Sequence, residues 1–263
     1  MHVILTGATG LVGSGVLDAM IKMKDISKIS ILSRRPVQMV DDVKDPRVNV
    51  IIHKDFENYD SELLSLLKGA KGCVWALGIS QTQVSKEEYV KITKDYALEA
   101  SKAFQTLATE QEPFNFVYVS GAGATTQPSQ FSAIFARVKG ETELALAEMR
   151  KANPSFHACS VRPAYIDPSK HDAIKSYIPA QTLLHRSLVT IFGPMIKVGL
   201  QSHWSPTFEL GGFLTEMAMG RYKSQLKAND IQMEGEFPIL ENSAFRRLGA
   251  SAPNEASRGR FII

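Results

Sequence analysis

The stretch Thr6-Gly7-Ala8-Thr9-Gly10-Leu11-Val12-Gly13 sets three glycines at three-residue intervals, after an apolar run and before a helix-like one. Small residues at such a bend let the backbone turn tightly, admit a diphosphate to hydrogen-bond distance and let the helix pack close to the strand. The first turn of the helix then offers unpaired N–H groups to an anion. Gly7, Thr9, Gly10, Leu11, Val12 and Gly13 are therefore the expected cradle of a nucleotide pyrophosphate; a ligand-free glycine turn is the bland alternative. A second group, Ser33-Arg34-Arg35, falls at the end of the next strand-like run. A carboxylate there would bond the free ribose hydroxyls of NAD. Two guanidiniums instead suit a 2′-phosphate, so the expected cofactor is NADP(H), unless both arginines are simply solvated. Ala76-Leu77-Gly78 ends a later strand, where small residues let a cofactor pass close by.

These residues need a scaffold, and the pattern around them supplies one. Apolar runs over His2 to Thr6, Lys28 to Ser33, Val48 to His53, Gly72 to Leu77, Phe114 to Ser120 and His157 to Arg162 read as strands. Between them, Gly10 to Lys24, Ser61 to Lys68, Ser85 to Thr109 and Gln130 to Ala152 carry the three- and four-residue apolar spacing of helices packed on a sheet. The expected fold class is α/β, a Rossmann-like doubly wound parallel sheet over residues 1–165. Residues 166–263 are expected to form a small, mostly helical C-terminal cap within the same domain. Its helices are expected around Ala180 to Phe192 and over Thr207 to Met219, the latter opened by Ser205-Pro206. Leu183, Leu184, Leu188, Ile191, Phe192, Met195 and Trp204 could line an apolar substrate pocket there, or simply pack.

Composition removes several alternatives. The 263 residues are 44% hydrophobic and 22% charged, which excludes a disordered or low-complexity chain. A net charge of +3 without a basic block does not favour nucleic acid. Cys73 and Cys159 lie in strand-like runs and read as reduced core thiols of a reducing compartment. Six histidines without helical pair spacing give no metal site. The N-terminus does not read as a secretory signal, and the apolar stretch Leu183 to Leu200 is broken by His185, Arg186, Gly193, Pro194 and Lys197, so no transmembrane segment is expected. The expected location is cytoplasmic, with peripheral association at an organelle surface left open, as is oligomeric state.

The motifs together resemble the atypical short-chain dehydrogenase/reductases, and among them the oxidoreductase-like branch that includes human Tat-interactive protein and its fungal mitochondrial-surface relatives. The resemblance covers residues 1 to about 165. It rests on TGATGLVG at 6–13, Leu32-Ser33-Arg34-Arg35, Tyr89-Val90 with Asp95-Tyr96, Val119-Ser120-Gly121-Ala122, Val138-Lys139-Gly140-Glu141 and Val161-Arg162-Pro163. It implies that Asp55 and Phe56 seat the adenine edge and that Pro163 lies against the cofactor. It also implies a Tyr and a Lys four residues apart on one helix, with a Ser or Thr hydroxyl nearby. Lys139 falls in the Lys position and Phe135 in the Tyr position. A phenyl ring has no proton to give, and losing a positioned acid costs about 10²- to 10⁴-fold. The hydroxyl is Ser120, Thr125 or Thr126. Tyr165, His185 and His203 are candidate replacement donors, and Phe135, His185, His203 and Trp204 candidate pocket residues.

The expectation is an NADP(H)-dependent oxidoreductase acting on a small apolar carbonyl or enone. A nonredox isomerase, lyase or cyclase on the same scaffold is one alternative. A noncatalytic NADPH-responsive binding protein is the other.

Overall fold

The computed structural model describes residues 1–178 and 201–251. An eight-stranded sheet runs in the order β3-β2-β1-β4-β5-β6-β10-β9. Its strands are β1 (His2–Thr6), β2 (Lys28–Ser33), β3 (Val48–Ile52), β4 (Ala70–Trp75), β5 (Phe114–Val119), β6 (Phe156–Arg162), β9 (Gln232–Glu234) and β10 (Phe237–Glu241). All neighbours are parallel except β9, which returns antiparallel on β10. β7 (Tyr165–Asp167) and β8 (Trp204–Pro206) form a separate parallel pair.

Strand periodicity explains the two faces. In β1, Val3 and Leu5 join one apolar cluster while Ile4 joins the other. In β5, Phe114, Phe116 and Tyr118 face one side and Val117 the other. Helices α1 (Leu11–Lys22), α7 (Thr207–Ala218) and α8 (Asn242–Ser251) cover the first face. Helices α3 (Ser61–Leu67), α5 (Tyr96–Phe104) and α6 (Ile134–Ala152) cover the second, around a chain of aromatic contacts from Phe56 through Trp75 and Phe116 to Phe156. This is the doubly wound α/β architecture that the alternating runs predict.

Several details differ from the sequence reading. The stretch expected as one helix from Ser85 to Thr109 is α4 (Lys86–Val90), a π-helical turn at Lys91–Asp95, α5, and a 3₁₀ turn at Gln105–Leu107. A short α2 (Gln38–Val43) was not expected. The sheet gains β9 and β10 beyond the six expected strands; Pro238 disguises β10, and it is tolerated because the ladder with β6 begins one residue later, at Ile239. Helix α7 lies directly against α1, where a Cβ on Gly211 would stand 2.2 Å from the Gly15 carbonyl oxygen. Much of the C-terminal third thus continues the core layers. A buried ion pair ties these parts together: Arg162 on β6 meets Glu143 on α6 at 2.5 Å and Glu241 on β10 at 2.7 Å, and Ser160 donates to Glu143 at 2.7 Å.

The expected helical pieces around 180–192 lie outside the described residues. So do His185, Leu183, Leu184, Leu188, Ile191, Phe192 and Met195.

Candidate nucleotide-binding crevice

Strand order reverses on the two sides of β1, between β2 and β4, and in such sheets the crevice beyond the carboxyl ends of the strands takes ligands. Gly7 follows β1, Ser33 closes β2, Ala76 follows β4, Ser120 follows β5 and Pro163 follows β6. Five separated segments of sequence therefore converge on one edge of the sheet.

The glycine turn is built by close approach. Gly7 has φ +71°, and a Cβ there would meet the Ala76 carbonyl oxygen at 2.3 Å. A Cβ on Gly13 would lie 2.0 Å from the Gly7 carbonyl oxygen, so α1 packs directly on the turn. The Gly10 N–H donates to Gly7 O at 2.9 Å. Gly10 caps α1 without any side-chain hydrogen bond, and no acidic residue occupies the first helical turn. The N-terminal amides of α1 are left to water or to an anion, as a phosphate cradle requires.

At the end of β2, the Ser33 hydroxyl donates to Arg35 O at 2.7 Å and accepts from Arg35 N–H, fixing the bend. Arg34 and Arg35 are exposed, and among the described residues neither guanidinium has an ion-pair or hydrogen-bond partner. Asp55 is exposed, accepting from Glu57 N–H at 3.0 Å and Asn58 Nδ2 at 2.5 Å, and these bonds hold its carboxyl below the usual range. The Phe56 ring is core, against His53, Trp75 and Tyr96, which leaves only its backbone for any ligand.

On the other side of the crevice, Lys139 Nζ donates to Ser120 O at 2.7 Å and to Val119 O at 3.4 Å. Burial pushes its pKa down to about 8 against the opposing pull of Glu143. The Ser120 hydroxyl is buried and has no hydrogen-bond partner among the described residues. A buried hydroxyl in that state is what a ligand oxygen would satisfy. Phe135 occupies the preceding turn of α6, half-buried, with its ring about a van der Waals contact from the Cβ position of Gly123. Its own N–H donates to Gln81 Oε1 at 3.0 Å, a contact that fixes where α6 begins and that no sequence signal announced.

The remaining candidates are spread. Thr125 Oγ1 accepts from Gln127 N–H at 3.1 Å, a local turn. Thr126 Oγ1 donates to Glu234 on β9 at 3.0 Å. Pro163 O accepts from Ala122 N–H at 2.9 Å, joining the ends of β5 and β6. Tyr165 and Trp204 pair across β7 and β8. Trp204 Nε1 donates to Asp167 at 2.9 Å, and its ring lies under the Arg246 guanidinium. His203 is exposed, and among the described residues its hydrogen bond is to its neighbour Ser202. Among the described residues no group of His, Cys, Asp or Glu could hold a metal.

Sequence reading also missed a chain behind the crevice. His171 bridges Asp18 on α1, at 2.9 Å, and Thr207 at the start of α7, at 3.0 Å, while Lys22 donates to the same Asp18 oxygen at 2.6 Å. All three of Asp18, His171 and Thr207 are buried, so the chain fastens elements and offers no exposed nucleophile.

No family model matches the chain. It is 34% identical over 257 residues to leucinostatins biosynthesis cluster protein T of Purpureocillium lilacinum, covering 90% of each chain. It is 42% identical over 153 residues to botcinic acid biosynthesis cluster B protein 16 of Botryotinia fuckeliana, covering 58% of this chain and 97% of that one. With the mitochondrial protein fmp52 of Emericella nidulans it shares 31% identity over 143 residues, 54% of this chain and 58% of that one. Among solved structures, the PhqB reductase domain from Penicillium fellutanum superposes with a TM-score of 0.60 at 15% identity, covering 83% of this chain and 64% of that one. The UDP-glucuronic acid 4-epimerase from Bacillus cereus in complex with NAD gives 0.58 at 15%, covering 91% and 78%. At such identity the likeness concerns the fold.

Proposed function

The chain belongs to the family of leucinostatins biosynthesis cluster protein T, and from that premise we propose that it is an atypical short-chain dehydrogenase/reductase, an NADP(H)-dependent oxidoreductase acting on a small apolar carbonyl or enone. The observation that carries the reading is the turn at Gly7 to Gly13, with no room for a Cβ at Gly7 or Gly13 and opening onto an uncapped helix N-terminus. The likeness to a reductase domain and to an NAD-bound epimerase supports a nicotinamide dinucleotide as the ligand. Two exposed arginines without partners where NAD-specific folds carry a carboxylate support the 2′-phosphorylated form.

When bound, the cofactor supplies a hydride from its nicotinamide. The amides of Leu11, Val12 and Gly13 would hold the pyrophosphate, and Arg34 and Arg35 the 2′-phosphate. Asp55 would reach the adenine edge with its exposed carboxylate. Lys139, fixed by two main-chain carbonyls, would bind the nicotinamide ribose. Its ammonium, with a pKa pushed down to about 8, also holds a proton that can be released near neutral pH, which suits a general acid. The Ser120 hydroxyl would donate to the substrate oxygen. Phe135 would form an apolar wall, and Thr125, Tyr165, His185, His203 and Trp204 remain secondary candidates for the donor or the pocket.

Phe135 also favours a second reading, a protein that binds NADPH without turnover. One assay separates them: NADPH oxidation by wild type and Phe135→Tyr with an aldehyde, a ketone, a quinone and an enone. Oxidation with any of these supports the oxidoreductase; saturable NADPH binding with no oxidation by either protein supports the binding protein. The fmp52 relatives are named mitochondrial, and no helix among the described residues is long and apolar enough to cross a membrane. A cytoplasmic location, with peripheral association at an organelle surface, is the reading we attach to these facts.

A further inference from the structure

At the amino ends of β5 and β6, on the edge of the sheet opposite the glycine turn, lies a cavity of about 380 Å³. That volume falls within the range of about 300–1,000 Å³ typical of small-molecule sites. Its floor is apolar, formed by Cys159, Met217, Tyr222 and Leu226, with Met233 and Pro238 of the terminal hairpin closing one side. Burial pushes the Cys159 thiol up to about 12, so this sulfur is an inert wall and no nucleophile.

The rim is predominantly basic. Arg150, Lys151, Lys223 and Lys227 line it, against the single carboxylate of Glu236, which pairs with Lys227 at 3.7 Å. Among the described residues Lys151 has only a loose, exposed contact to Glu148 at 3.9 Å. Arg150 and Lys223 have no carboxylate partner among the described residues. Arg150 is the informative one. It is half-buried, its Nη1 donates to Ala158 O at 2.6 Å, and burial lowers its pKa. Glu236 acts on Arg150 from a distance and raises its pKa, but it makes no ion pair with it, so the cost of drawing the guanidinium out of water is offset only in part, and a planar oxyanion meeting its fork offsets the rest.

We propose that this cavity is a second ligand site, separate from the nucleotide crevice, for an amphipathic carboxylate whose apolar chain lies on the Cys159–Leu226 floor and whose carboxylate meets Arg150 and Lys223. The cavity draws on residues after α7 and in the β9–β10 hairpin, whereas the crevice draws on the opposite strand ends. The two sites can therefore be filled together.

Calorimetric titration of the full chain with decanoate tests this, with decanol as the uncharged probe and NADPH as the reference ligand. Wild type is expected to bind decanoate at least about tenfold more tightly than decanol, as a charge-assisted contact implies. Lys223→Ala, at an exposed turn, and Met233→Glu, which adds a like charge beside the ligand, should each weaken decanoate binding while leaving NADPH binding unchanged. Arg150→Gln should weaken it most. No heat with decanoate at millimolar concentration, equal binding of decanol, indifference to all three substitutions, or displacement of decanoate by NADPH would each overturn the proposal. A missing NADPH signal beside intact decanoate binding would count against the crevice and leave this site standing.

Discussion

Lys139 Nζ lies 2.7 Å from the main-chain carbonyl oxygen of Ser120, so the helix that carries the lysine is fastened to the end of the strand that carries the serine. The contact leaves the ammonium in a pocket with Glu143 as its opposing charge, and desolvation lowers its pKa from 10.5 to about 8. The native state therefore binds fewer protons than the unfolded chain between about pH 8 and 10.5, and this group's contribution to stability rises with pH across that window. NMR of ¹³C-methylated lysines should give Lys139 a midpoint near 8, absent in Lys139→Met. A midpoint with the bulk lysines would contradict the buried site.

The acid limb has a different source. Burial alone would raise the Asp18 carboxyl, but hydrogen bonds from His171 and Lys22 outweigh it and hold the pKa below the usual range. The linkage is present above the carboxylate's unfolded pKa of about 3.9 and is lost as pH falls through the lower native value. Urea denaturation from pH 6 to 2 should show a steeper acid loss for wild type than for Asp18→Asn. Parallel curves would mean that the chain through His171 does not stabilise the α1–α7 contact.

Gly7→Ala and Gly13→Ala each put a methyl group against backbone that has no room to retreat, the Ala76 and Gly7 carbonyls respectively. Each should cost about 1–3 kcal/mol by overpacking, read as a fall in denaturation midpoint. NADPH-induced thermal stabilisation should shrink by more than this loss explains, because the turn is also the ligand's seat. Gly69→Ala, at a positive φ with open space around it, serves as the control for backbone strain alone; it should lower stability without touching the NADPH shift.

Restoring a phenol at position 135 tests the missing acid. Phe135 stands four residues before Lys139, on the same face of α6. If the oxidoreductase reading holds, Phe135→Tyr should raise NADPH-dependent carbonyl reduction by about 10-fold or more, within the range a positioned acid supplies. An unchanged or lower rate would mean that wild type already uses another donor, for which Lys139 and Ser120 are the proposed groups.

The first six strands and the turn after β1 were legible because they depend on local rules: apolar runs of strand length, helix spacing, and glycines where backbone meets backbone. Gly7 and Gly13 could be read from spacing alone, since their constraint is the absence of a Cβ. Contacts joined by folding were not legible. His171 and Asp18 are 153 residues apart in sequence, and neither has a neighbour that hints at the other. Strand β10 was hidden by Pro238, whose missing N–H falls outside the β6 ladder. The π-turn at Lys91–Asp95 interrupts a stretch with unbroken helical spacing, and nothing in the local residue pattern marks it.

Arg34 and Arg35 are the proposed selectors of the 2′-phosphorylated cofactor, and isothermal titration with NADPH and NADH tests that selection directly. Wild type should bind NADPH at least about tenfold more tightly than NADH, in line with charge-assisted phosphate contacts, and the Arg34→Ala/Arg35→Ala double variant should erase the difference by weakening NADPH alone. Equal affinity of wild type for the two dinucleotides, or no heat with either, would contradict it.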